Sequence, residues 1–195
     1  FYALKWSENF DVSVLGSWEE SINAINSIAR KKKINKLSAS SDWKKIKEPD
    51  LVIWLTKTYK NTNALNKYFQ LNWKSPILIL QNGIGQETLF YNILGLNQKI
   101  FRGVTAQGVK LIGPGNVLNT GHGEVFVEKN DFFTGFPVIQ KSDIQRMIYL
   151  KLAINAVLNP TSALYGVTNK NAVKGEAGEN LRKLVKICYP YFKAR

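Results

Sequence analysis

Residues 50–85 read DLVIWLTKTYKNTNALNKYFQLNWKSPILILQNGIG, and this stretch decides the fold class. Residues 50–57 form a continuous apolar run of strand length, as expected for a strand covered on both faces. Residues 61–69 read as a helix and 76–80 as a second buried strand, closed by Gln81-Asn82-Gly83-Ile84-Gly85. Strand, helix and strand in that order make a βαβ unit and imply a mostly parallel sheet. In such a sheet ligands bind beyond the carboxyl ends of the strands. Two of those ends are polar here, one at Lys57 and one at Asn82-Gly83. Gly83 and Gly85 would let a ligand approach the backbone closely. Ordinary turns use the same residues, but two decorated ends together favour a cleft.

Working outward, residues 1–15 read as the last turns of a helix running into a short strand at Val12–Leu15. Residues 17–29 carry Trp18, Ile22, Ile25 and Ile28 at helical spacing, with Ser17 and Glu20 in a capping-box pattern. Residues 42–47 suggest a short helical turn before Pro49. On the other side, 87–94 read as a helix and 100–103 as a strand. After Val104, glycine-rich turns at 113–115 and 121–123 separate short alternating segments, which predicts an antiparallel extension. From residue 142 the pattern is helical, over 143–158 and 175–186. The expected division is therefore 1–141, a Rossmann-type α/β domain, and 142–195, the beginning of an all-α domain.

Composition bounds the function. With 45% apolar residues, five Trp, eight Tyr and ten Phe in 195 residues, the chain can build a substantial core. No apolar run reaches the length of a membrane span. No n-region, h-region and cleavage site come before the apolar run at 12–15, so residues 1–15 are not read as a signal peptide, and the single cysteine, Cys188, fits a reducing, cytoplasmic setting. The net charge of +13 invites a nucleic-acid reading. Yet 22 of the 27 basic residues are Lys and five are Arg, the type that phosphate and base-edge recognition favours. The lysines are scattered apart from 30–33, where a helix C-terminus accounts for them. Neither nucleic acid nor membrane is expected as a partner, and no metal set is evident.

Residues 151–160, KLAINAVLNP, set a polar stripe on an otherwise apolar helix. Lys151, Asn155 and Asn159 stand at i, i+4 and i+8, which stacks them on one face over roughly 12 Å. Leu152, Ala153, Ile154, Ala156, Val157 and Leu158 would bury the rest nearly all round. A buried lysine needs a partner or a shifted pKa, and buried carboxamides need hydrogen bonds. Either a ligand faces the stripe, or the lysine reaches solvent and the asparagines cap neighbouring loops.

Four segments in series carry a resemblance: DLVIWLTKTYKN (50–61), ILILQNGIGQE (77–87), GVTAQGVKLIGPGNVLNTGHGE (103–124) and KLAINAVLNPTSALYGVTNKNAV (151–173). Over essentially its whole length the chain resembles the 2-dehydropantoate 2-reductases, or ketopantoate reductases. The resemblance implies a Rossmann domain for NADPH, a helical C-terminal domain, and reduction of 2-dehydropantoate to (R)-pantoate between them. It places the proton donor on Lys151 and substrate contacts on Asn155, Asn159 and Asn169. Cofactor contacts fall on Lys57, on Asn82 and on the backbone of Val109. A homodimer is compatible with it. The family's glycine-rich fingerprint belongs before Phe1, and most of its helical domain, with a serine and a glutamate for the site, belongs after Arg195. The chain is accordingly expected to be a fragment.

One departure concerns the coenzyme. The family often has an arginine after the strand at Val12–Leu15 to hold the 2′-phosphate, and here Ser17 stands near that place, followed by Glu19 and Glu20. NADP remains the expected cofactor. Three other readings stay open: a hydroxyacid dehydrogenase of the same two-domain build, a non-catalytic nucleotide-binding module, and a basic nucleic-acid-binding domain. His122, the one histidine, lies in a glycine-rich turn, where a turn role competes with an acid role.

Overall fold

The computed structural model describes residues 1–193 of the chain. A short helix α1 (Tyr2–Trp6) leads into β1 (Val12–Leu15), α2 (Glu19–Lys31) and β2 (Leu37–Ser40). There follow β3 (Val52–Trp54), α3 (Asn61–Phe69), β4 (Ile77–Ile79), α4 (Gln86–Leu94) and β5 (Ile100–Thr105). Next come β6 (Gly108–Gly113), β7 (Asn116–Gly121), β8 (Val125–Glu128) and β9 (Ile139–Lys141), then α5 (Ile144–Leu164) and α6 (Gly175–Lys193). The α/β class, the mostly parallel sheet with an antiparallel element, and the helical C-terminal part are as the sequence implies.

The main sheet has the order β3-β4-β5-β8-β9, with β3, β4 and β5 parallel. β8 is antiparallel to β5, but β9 returns parallel to β8, so the extension is not antiparallel throughout. β1 and β2 form a separate parallel pair, and β6 and β7 a separate hairpin. β4 is buried on both faces, as its unbroken apolar run requires. Strand alternation sends Leu78 and Leu80 into one core with Trp6, Phe101, Val127 and Phe133. It sends Ile77 and Ile79 into the other with Trp54, Leu65, Tyr68 and Phe90. Each such buried side chain stabilises the fold by about 1.5–3 kcal/mol.

Five details depart from the sequence reading. Ser17 does not cap α2: the helix begins at Glu19 after an extended Trp18 that has no side-chain cap, leaving Glu19 and Glu20 to face the helix N-terminus. β2 was not legible, because a four-residue strand reading LSAS has too little apolar content to stand out. α5 does not stop at Pro160 but runs through it to Leu164. Pro160 and Ala156 are both exposed, so water can reach the carbonyl that a proline leaves unpaired. Likewise α6 continues through Pro190 to Lys193. Nor is α5 buried nearly all round, since Leu150, Ile154 and Leu164 are exposed. Among the described residues no helix is long and apolar enough to cross a membrane.

Candidate functional site

Register aligns the carboxyl ends of the three parallel strands. Trp54 pairs with Ile79 and Ile79 with Arg102, so Lys57, Asn82 and Thr105 each follow a registered position by three residues. Lys57 and Asn82 are exposed, and each directly follows a residue tied into the protein. Gln81 directly follows the buried run that ends at Leu80 and is only 8% exposed. Its Nε2 donates to Asn61 Oδ1 at 2.7 Å, to Thr56 Oγ1 at 3.1 Å and to the Thr56 carbonyl. Asn61, fully buried, returns the bond from Nδ2 to Gln81 Oε1 at 3.0 Å and to Gln86 Oε1 at 3.2 Å. Its Oδ1 also accepts from Trp54 Nε1 at 3.0 Å and Thr56 Oγ1 at 2.8 Å. These carboxamides were not singled out from the sequence, although the QNG triplet that contains Gln81 was.

The loop after β4 has a second anchor. Gly83 and Gly85 both take positive φ, at 95° and 74°, a conformation other residues rarely adopt. Arg102, 5% exposed on β5, donates from Nη2 to the Gly83 carbonyl at 2.9 Å. Its Nε lies 2.9 Å from Glu87 Oε1, a charge contact without good hydrogen-bond angles, and Nη1 has no partner among the described residues. Burial pushes the guanidinium pKa down, and Glu87 and Glu128 partly offset it. A buried arginine therefore pins the glycine loop and the first turn of α4 from below.

Lys151 comes to the same side of the sheet from α5. The helix is seated on β5 and β8 by Ile144 and Ile148 against Val104 and Phe126. Lys151 is half-buried, and its Nζ donates to the backbone carbonyl of Thr105, the last residue of β5. Desolvation lowers its pKa, and among the described residues no carboxylate acts to restore it. Thr105 Oγ1 in turn bonds the Tyr2 hydroxyl and accepts from Gln107 N at 3.1 Å. Along the stripe, Asn155 is half-buried and Asn159 exposed. Ser162 extends the same face, and its hydroxyl donates to Asn169 Oδ1 at 2.7 Å. The sequence reading missed Ser162. The structure thus links Lys151 to the end of β5, and Asn169 to the far end of the stripe.

Val109 is exposed on β6, opposite Asn119 in the β6–β7 hairpin. The tip of that hairpin rests on the first turns of α2, where Gly115 N donates to Ser21 Oγ at 2.9 Å. It thereby connects the end of β5 with the end of β1, where α2 begins. His122 is exposed just after β7. Among the described residues no group of three or more His, Cys, Asp or Glu could hold a metal ion.

Comparison with known proteins adds a separate line of observation. A family model described as ketopantoate reductase PanE/ApbA matches residues 2–131. A protein named 2-dehydropantoate 2-reductase from Pyrococcus abyssi is 31% identical over 137 residues. That match takes in 63% of this chain and 45% of the relative, so the chain spans less than half of the relative's length. Among solved structures, a PanE/ApbA family ketopantoate reductase from Ralstonia eutropha superposes with a TM-score of 0.81 at 22% identity. That superposition covers all of this chain and 70% of the other. D-mandelate dehydrogenase, in a ternary structure with NADH and anilino(oxo)acetate, superposes with a TM-score of 0.76 at 22% identity. Here 98% of this chain and 67% of the other are covered. At that identity these two structures speak to the fold alone.

Proposed function

The chain belongs to the ketopantoate reductase family, and on that premise we propose that the full-length protein reduces 2-dehydropantoate to (R)-pantoate with NADPH. In this reading residues 1–141 belong to the nucleotide-binding domain and 142–195 begin the helical substrate domain, in a cytoplasmic enzyme of coenzyme A supply. The observation that carries it is Lys151. A half-buried ammonium with a lowered pKa, and with no carboxylate partner among the described residues, is anchored to the carboxyl end of a parallel strand. Ligands of parallel sheets bind beyond such strand ends, so this position suits an acid for a ketone reduction.

The donor set suits a nicotinamide dinucleotide. Lys57 and Asn82 offer an exposed cation and a carboxamide from adjacent strand ends, and the glycine loop at 83–85 lets backbone come near. Lys57, Asn82 and the backbone of Val109 would hold the coenzyme, which when bound supplies a hydride to the keto carbon. The chain's own residues do the rest. Lys151 Nζ turns from the Thr105 carbonyl to the keto oxygen, stabilises negative charge there and gives it a proton. It is left a neutral amine, which regains its proton from solvent. Asn155 and Asn159 hold the substrate's carboxylate and hydroxyl as neutral donors, and Asn169, tied to Ser162, closes the far end.

Steady-state oxidation of NADPH and of NADH by the full-length protein, with 2-dehydropantoate as acceptor, tests this reading. Turnover with a higher kcat/KM for NADPH is expected. Absence of turnover would reject the substrate. Equal or better efficiency with NADH, the coenzyme in the D-mandelate dehydrogenase structure, would reject the preference.

A further inference from the structure

We infer that the buried carboxamide pair Asn61–Gln81 is a positioning device, which holds Lys57 and Asn82 in one fixed relation for a bound nicotinamide nucleotide. The inference rests on the nucleotide-binding reading above. Both side chains pair reciprocally, Nε2 to Oδ1 at 2.7 Å and Nδ2 to Oε1 at 3.0 Å, in a closed amide dimer inside the protein. Gln81 bonds across to the Thr56 carbonyl and hydroxyl, and Thr56 is the residue before Lys57. Gln81 is itself the residue before Asn82. A shift of either loop would therefore drag the other.

Asn61 opens α3 and Gln86 opens α4, yet neither side chain caps its own helix. Their polar groups are instead committed to each other and to the strand ends. That commitment is costly for a purely structural element. A buried amide stabilises only when every bond is made, and an apolar pair of like shape would fill the same space. What the polar pair adds is direction: five bonds converge on Asn61 from β3, the loops after β3 and β4, and α4.

The test uses the full-length protein and NADPH and NADH as probes. Gln81→Met removes the cross-loop bonds at similar volume. Thr56→Val is nearly isosteric and deletes only the hydroxyl, so it keeps the test open if the first variant unfolds. Val127→Ala, in the opposite core, serves as a control of matched stability loss. Well below every thermal midpoint, the dissociation constant of whichever nucleotide the parent binds should rise at least about tenfold in Gln81→Met and by a smaller factor in Thr56→Val. KM for the keto acid and the control's nucleotide affinity should stay within about twofold. In an Asn82→Ala background most of the Gln81→Met effect should vanish, because the residue it positions is gone. Equal affinity in parent and variants, an equal rise in the control, or full additivity with Asn82→Ala would each overturn the inference while leaving the reading intact. A parent that binds neither nucleotide overturns the reading itself and the inference with it.

Discussion

Replacing Lys151 with methionine keeps most of the side chain's stem and removes its ammonium, and the two roles open to this lysine then predict different outcomes. Among the described residues the ammonium makes one charged hydrogen bond, to the Thr105 carbonyl. Such a bond is worth about 1.5–3 kcal/mol at most, and less for a half-exposed group. Against it stands the desolvation that lowers the lysine's pKa, a cost that methionine does not carry. The two oppose each other, so the thermal midpoint should move by only a few degrees, equivalent to about 1 kcal/mol. Catalysis has no such offset. A general acid contributes roughly 10²–10⁴ in rate, or about 2.7–5.4 kcal/mol of barrier. Turnover of Lys151→Met should fall at least about a hundredfold.

The pH dependence sharpens the same prediction. Burial sets the folded-state pKa of Lys151 below the ordinary lysine value of 10.5. Turnover of the parent should therefore decline as pH rises through that lowered value, and the residual rate of Lys151→Met should lack this limb. Between the folded pKa and 10.5 the unfolded chain holds a proton that the folded one has lost. The parent's stability relative to the methionine variant should consequently rise with pH across that window. Stopped or steady-state NADPH oxidation and thermal unfolding on the same samples measure both. Near-normal turnover together with a large fall in midpoint would refute the reasoning and make Lys151 a tether between α5 and β5.

Asn155→Ala and Asn159→Ala should each raise KM for the keto acid by about 1–3 kcal/mol of lost polar interaction, with nucleotide affinity nearly unchanged; an effect confined to the nucleotide would contradict their assignment. The Tyr68 phenol, buried and bonded to the Ser75 carbonyl at 3.1 Å, has its pKa pushed up to about 12 by burial and by Glu48. The folded state thus keeps a proton that the unfolded chain loses near 10.0, so stability should fall as pH climbs from there towards about 12. Tyr68→Phe should flatten that slope in alkaline unfolding curves, and an unchanged slope would assign it to other groups. Gly115 sits at φ 63° with Ala24 Cβ only 2.8 Å from where its own Cβ would be. Gly115→Ala should lift the hairpin tip from α2 at a cost of about 1–3 kcal/mol, read as faster amide exchange in β6 and β7.

The strength of local patterns decided how much could be read in advance. The run from residue 50 to 80 announces buried strands because both faces of β4 are covered, and α3 occurs over the very residues its periodicity marks. Lys57 and Asn82 stood out as polar residues closing apolar strands, and the Lys151 stripe as polar residues on a largely apolar helix, and such contrasts show in one dimension. β2 did not stand out, since it owes its existence to pairing with β1 rather than to its own composition. The continuation of α5 past Pro160 likewise depends on solvent at that turn, which the sequence does not display. The Asn61–Gln81 pair, the Arg102 anchor under Gly83 and the Thr105 carbonyl that receives Lys151 join residues 20, 19 and 46 positions apart. No local period encodes those separations. Residue type and spacing determined which groups could do chemistry; only the registration of three parallel strands, and the seating of α5 on β5, decided which of them meet.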